Sequence, residues 1–372
     1  MKKKLIQSAL RNIKNIPGWR TGRRIVVIES DDWGSIRMPS TAVYNAFIKR
    51  GFPVNKGLYN RYDSLENETD LLNLFEVLSS FKDIHYNPAV FTANCIVANP
   101  DFEKIKQSDF TEYHYELVTD TLKKYPNREK VISIWKEGLE HKIFKPQSHG
   151  REHVNIERWM KMLKKKDPNT LFCFDHQTTF SGNGEQDYNF MEALDYDDKD
   201  QIINLNKILE DGLHIFKRMF GYSSKSFIAP SYIWHSDIET ALNKLGVRYL
   251  QGLQFQFIPK LKFGSYKKRF HYLGESNQFN QRYIIRNCSF EPAITPDINA
   301  VDYCLKQIEI AFRWHKPAVI TSHRVNYIGC LDETNRTRNL FLLKQLLSTI
   351  QRKWPDVEFV STDQLGDIIT AN

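Results

Sequence analysis

The chain has 372 residues, of which 41% are hydrophobic and 26% charged, enough to bury one large core. No apolar run approaches the roughly 20 residues of a membrane span. The net charge of +8 is local: residues 1–24 hold eight basic residues and no acid, leaving 44 basic against 44 acidic elsewhere, so the body offers no extended basic groove for nucleic acid.

In chain order, residues 1–24 come first. Ile6, Ala9, Leu10 and Ile13 recur at helical spacing, so this segment reads as a basic amphipathic helix. It either closes one end of the domain or makes peripheral contact with an anionic membrane. The start has the charge of a signal peptide without its apolar stretch, and the five cysteines are scattered with no C-x-x-C. Both features predict a cytoplasmic protein acting on something made inside the cell.

Next comes Arg24-Ile-Val-Val-Ile-Glu-Ser-Asp31-Asp32-Trp33-Gly34. The β-branched run predicts a buried parallel strand, and two acids at its carboxyl end fall in the mouth of an α/β fold, where ligands bind. Two ionised carboxylates in such a place repel each other and lose hydration; a cation or a shared proton removes that cost. Strands are predicted at 25–30, 88–93, 171–175, 226–229, 247–251, 283–287, 317–322 and 357–360. Helices are predicted at 39–50, 68–81, 111–124, 128–140, 155–166, 199–220, 236–245, 298–314 and 333–353. This alternation is that of a β/α barrel.

The second chemical segment is Lys145-Pro-Gln-Ser-His149-Gly-Arg-Glu-His153. Residues i and i+4 share a helix face, so the histidines can converge on one ion, and two imidazoles with a carboxylate leave open positions for water and substrate. The letters also match the H-x-x-E-H of inverzincin metallopeptidases, although Pro146 and Gly150 argue against the long helix that chemistry needs. A third segment, Lys316-Pro-Ala-Val-Ile-Thr-Ser-His323-Arg324, is an apolar strand ending in a histidine, a candidate general acid or base.

In this order the three segments resemble the NodB-homology polysaccharide deacetylases, carbohydrate esterase family four, over roughly residues 25–365. Gly221-Tyr-Ser-Ser-Lys-Ser-Phe227-Ile-Ala-Pro230-Ser-Tyr232 is similar to a further family motif. The resemblance implies a distorted (β/α) barrel over 25–372 and one divalent cation, zinc first, with cobalt, nickel or manganese as alternatives. It implies Asp31 as base, Asp32, His149 and His153 as metal ligands, and His323 as acid. The activity implied is deacetylation of an acetylated sugar or polysaccharide, at nitrogen or oxygen. Backbone N–H groups near Tyr232 would help hold the oxyanion.

Three departures stand out. The family's motif arginine is replaced by Ile228, leaving Arg151, Arg286 or Arg324 to supply the charge. Glu29-Ser30 stands where Thr-Phe is usual. The acid that pairs with the final histidine has no clear counterpart, with Glu275 and Glu291 as candidates. A catalytically inactive carbohydrate-binding barrel is therefore the alternative function.

Residues 156–198 read as an insertion that forms a mobile lid or groove wall, and Asp175-His176 as the end of a strand reaching the mouth in a supporting role. Trp33, Tyr232, Arg151 and Arg324 are candidate substrate contacts, since flat rings pack on sugar faces and guanidinium groups bond polar substituents.

Overall fold

The computed structural model describes residues 12–182, 190–262 and 264–371. A nine-stranded, all-parallel sheet lies at its centre. Its path runs β10 (Arg282–Ile285), β7 (Tyr249–Gly252), β6 (Ser226–Ile228), β5 (Phe144–Ser148), β2 (Phe91–Cys95), β1 (Arg24–Trp33), β12 (Ala318–His323) and β11 (Cys288–Ser289), with β13 (Val357–Phe359) beside the start of β1.

The two ends of that path are consecutive pieces of one segment. Only Arg286 and Asn287 separate β10 from β11. The Arg286 amide donates to Gly252 O of β7 (2.9 Å), and the next amide, Asn287, donates to Val319 O of β12 (3.0 Å). The sheet therefore curls into a barrel with its seam at these two residues, and the α/β barrel expectation holds.

Local sequence explains the elements. In β1, Ile25 and Val27 enter one apolar cluster and Val26 and Ile28 another, so both faces are buried, as a central parallel strand requires. The helices begin at side-chain caps: Ser40 before Thr41–Arg50, an Asn67–Asp70 capping box before Glu68–Ser79, Asn155 before Ile156–Lys164, and Asn299 before Ala300–Arg313.

Two expectations fail, and one strand was not foreseen. Residues 171–175 are not a strand but the end of the helix Pro168–Asp175, started by the Asp167 side chain accepting from Thr170 N, with Pro168 in the first turn. Helix over 111–124 shrinks to Val118–Lys123, because β4 (Tyr115–Leu117) pairs antiparallel with β3 (Ala98–Pro100). The central strand β5 was hidden by its Pro146-Gln147-Ser148 composition. A separate ribbon, β8 (Phe255–Pro259) and β9 (Tyr266–Phe270), is inserted between β7 and β10.

Of residues 1–24, the stretch 1–11 lies outside the described residues, and with it most of the helical periodicity. Residues 12–23 pack on the barrel. Lys316 Nζ donates to the carbonyls of Pro17 (2.8 Å), Gly18 (2.5 Å) and Trp19 (2.6 Å), and Asn287 Nδ2 donates to Asn15 Oδ1 (2.9 Å). Among the described residues no helix is long and apolar enough to cross a membrane.

Candidate metal centre and catalytic cleft

The site starts from an irregularity at the end of β1. Ser30 pairs with Ala93 and Trp33 with Cys95, three steps on one strand against two on the other, and Asp32 sits at φ +78°. Regular alternation would turn Asp31 and Asp32 to opposite faces; the bulge delivers both to the mouth. A non-glycine residue at that φ is strained backbone of the kind found at functional sites.

Asp32 Oδ1 lies 3.4 Å from His149 Nε2 and 3.4 Å from His153 Nε2. All three side chains are buried and form the one cluster of metal-ligating groups found among the described residues. The histidines do not share a helix face, as sequence suggested. They follow β5 on an irregular loop, with Gly150 at φ +102° turning the chain between them. His149 Nδ1 donates to Ile228 O (2.9 Å), which leaves Nε2 as a lone-pair donor. Burial first, then Arg37, pushes His153 down to about 3, so its ring is neutral, and its Nδ1 is buried without a partner. Ligands each about 2.1 Å from one tetrahedral ion stand about 3.4 Å apart. Two imidazoles and a carboxylate at that spacing fit a transition-metal dication.

Asp31 is held differently. Arg286 Nη2 donates to Oδ1 (2.6 Å) and Nη1 to Oδ2 (2.7 Å), while Asn94 Nδ2 donates to Oδ1 (2.7 Å). Burial alone would raise this carboxyl; Arg286, then His323 and His149, outweigh it and hold Asp31 at about 2. Arg286 Nε donates to Glu29, and Nη1 also reaches the Tyr232 hydroxyl (3.1 Å). Arg286 and the unusual Glu29 are thus two halves of one buried pair.

His323 closes the other side, Nε2 3.6 Å from Asp31 Oδ2 and Nδ1 2.6 Å from Glu291 Oε1. Asn326 Nδ2 fixes Glu291 through its other oxygen (2.7 Å). Burial pulls the imidazole down, but Glu291, then Asp31 and Asp32, more than offset it and raise His323 to about 9. Glu275 instead pairs with His271.

Asp31, Asp32, His149, His153, Tyr232 and His323 share one open cavity of about 780 Å³. Lys56, Tyr59 and Asn60 form one wall; Thr178–Ser181, Phe190 and Met191, from within 156–198, form another.

Several expected contacts lie elsewhere. Trp33 is fully buried, its indole N–H on Ser30 Oγ and its ring edge-on to Phe144, so it belongs to the core and faces no ligand. Arg151 is turned onto Glu152 and Asp211 and stacks over Tyr115. Arg324, wholly buried, bridges Asp63 and Glu66. Glu152 is spent on Arg151 and the histidines are not helical, so the H-x-x-E-H peptidase arrangement is absent. Asp175 pairs with exposed Lys106 and His176 packs on Phe47 and Phe172, neither in the cavity.

Sequence reasoning passed over Arg37, whose Nη2 lies 3.2 Å from Asp32 Oδ2 and whose Nε lies 3.2 Å from Asp63 Oδ2. It also passed over Asn94 and Tyr59. Nothing in Gly34-Ser-Ile-Arg37 marks that arginine; the turn after the bulge brings it back.

No family model matches the chain, and no curated protein matches it in sequence. Solved structures resemble it only in overall path. One is provisionally described as a glycoside hydrolase/deacetylase from Parabacteroides distasonis, at 9% identity over 93% of this chain and 71% of that one, with a TM-score of 0.48. Another is provisionally described as a polysaccharide deacetylase from Mycobacterium smegmatis, at 11% identity over 95% and 93%, TM-score 0.44. A 4-alpha-glucanotransferase from Thermococcus litoralis matches at 9% identity and TM-score 0.44, over 92% of this chain but 40% of its own length. At these values the likenesses assign no residue and no reaction.

Proposed function

We propose that this chain is a metal-dependent hydrolase that removes acetyl groups from an acetylated sugar or glycan. The observation that carries the reading is a single cavity holding an Asp32–His149–His153 ligand set between an arginine-clamped carboxylate, Asp31, and a carboxylate-backed histidine, His323.

Asp32, His149 and His153 would hold a divalent cation, which when bound supplies Lewis acidity toward a carbonyl oxygen and a more acidic water. Asp31 is ionised at neutral pH and, oriented by Arg286 and Asn94, accepts the proton of the attacking water. His323 is protonated at neutral pH, and its Nε2, 3.6 Å from Asp31, donates to the departing amine or alcohol. Glu291 keeps that proton on the ring. Tyr232 presents an aromatic face beside the reacting groups, as sugar recognition favours. The volume is within the roughly 300–1,000 Å³ usual for small-molecule sites. Arg286 supplies the charge whose absence from the sequence motif pointed to an inactive, binding-only barrel.

The test combines metal content per chain with acetate release from a panel of N- and O-acetylated sugars. The reading expects near one equivalent of a transition metal and acetate release, both lost in a His149→Ala, His153→Ala double variant. A native chain that refuses zinc and cobalt would sink it; metal without acetate release across the panel returns the binding-only barrel.

A further inference from the structure

We infer that the β8–β9 ribbon, with the segment beside it, is a docking surface for an anionic lipid bilayer. The ribbon pairs with no other strand of the sheet; its nearest backbone contact is a bridge from Phe257 to Ile233. Residues 250–274 contain Lys260, Lys262, Lys267, Lys268 and Arg269 and no acidic residue. Those five and the eight basic residues of 1–24 leave 39 basic against 44 acidic in the rest of the chain, so the net excess of positive charge comes from two segments.

The fold brings residues 14–19 of the first segment against the second. Gln254 Nε2 donates to Lys14 O (3.0 Å), and Trp19 N donates to Leu273 O (2.8 Å). Lys260, Lys262, Lys267 and Lys268 have no acidic partner among the described residues; Lys268 instead lies over the Phe257 ring, 5.6 Å from its centroid.

Charge alone would suit any polyanion, and the apolar side chains decide between them. Phe255 and Phe270 form an edge-on cross-strand pair, 5.7 Å between centroids, and stay 44% and 45% exposed. Leu253, Leu261 and Tyr272 on the ribbon, and Ile13 and Ile16 beside it, are also between 37% and 58% exposed. A folded protein keeps such a concentration of large apolar groups at the surface at a cost unless something covers them. Aromatic rings among lysines match the headgroup boundary, where rings enter the acyl edge and ammonium groups stay with the phosphates. A nucleic acid or acidic protein would draw on the lysines but would not cover this apolar spread.

The test is cosedimentation of the full-length protein with vesicles of phosphatidylcholine alone or mixed with phosphatidylglycerol, beside Lys267→Ala, Lys268→Ala and Phe255→Ser, Phe270→Ser double variants. It reads neither metal nor acetate, so its outcome is independent of the proposed activity. The inference expects pelleting with the mixed vesicles only, a partition coefficient lowered about 25-fold by the lysine pair, and a further loss with the phenylalanine pair. The lysines are exposed, so their variant keeps the native melting curve and decides the matter if the phenylalanine variant melts early. Equal pelleting with both lipids, or pelleting unchanged in the lysine variant, would overturn the inference. So would heparin binding that the lysine pair abolishes while vesicles never pellet the protein, which marks a polyanion surface.

Discussion

Arg286 holds both oxygens of Asp31 from 255 residues away in sequence, with donor distances of 2.6 and 2.7 Å and no solvent access to the guanidinium. The same side chain donates to Glu29, so one cation satisfies two buried carboxylates. A pair of this kind adds little or no net stability over an apolar filling, because desolvation offsets its attraction, yet losing one partner strands a buried charge.

Arg286→Met should therefore lower unfolding free energy by about 3–5 kcal/mol and cut kcat at least about 100-fold. Adding Glu29→Gln and Asp31→Asn to it should restore much of the stability and none of the activity. Urea unfolding beside acetate release checks both; a lone Arg286→Met with native stability would contradict the buried-charge account.

Glu291 fixes the basic limit of the reaction. In the proposed reaction His323, raised to about 9, is the acid, so activity should fall as pH rises through about 9. In Glu291→Gln the burial term is no longer offset, the imidazole loses its proton sooner, and the basic limb of kcat/KM should move to lower pH. The sign for stability follows. A histidine raised on folding stabilises fully below its unfolded value of about 6.5, and that contribution is lost as pH rises through about 9. A limb that stays in place in Glu291→Gln would remove His323 from the acid role.

Metal loading should be visible without any substrate. Zinc at a hundred times its dissociation constant should stabilise the fold by about 2.7 kcal/mol, and Asp32→Asn should remove most of that shift. Differential scanning calorimetry with zinc and with a chelator reads it directly; an unchanged melting temperature on loading would exclude binding by these folded-state ligands.

Trp33 separates packing from recognition. Its ring is wholly interior and edge-on to Phe144, so Trp33→Ala should cost about 3–5 kcal/mol of stability and leave KM unchanged in the fraction that folds. Tyr232→Ala, in the cavity, should instead raise KM. Steady-state kinetics at a temperature where both variants are folded distinguishes them.

The parts legible in sequence were those whose signals are local. The run Ile25–Ile28 announced a two-faced strand, and the helical patterns over 68–81 and 298–314 fall close to the helices Glu68–Ser79 and Ala300–Arg313. Asp31, Asp32, His149, His153 and His323 were all singled out, and all five meet in one cavity. What stayed hidden depends on tertiary closure. Arg286 was one of three arginines offered for the missing charge, and only the seam shows that it, and not Arg151 or Arg324, reaches Asp31; Glu29 reads as an anomaly until Arg286 arrives. The loop carrying His149 and His153 converges through a glycine turn that helical periodicity does not describe. Trp33 was misjudged because a one-residue bulge changes which neighbour of an acid faces the mouth.

The amide of Arg286 joins the last gap in the sheet while its guanidinium reaches the carboxylate in the mouth. A chain whose sheet stands open at Gly252 or Val319 lacks the Arg286 clamp on Asp31, however well formed its helices are. On the proposed function, turnover thereby becomes a readout of circumferential continuity: a frayed copy lacks the clamp that orients its base.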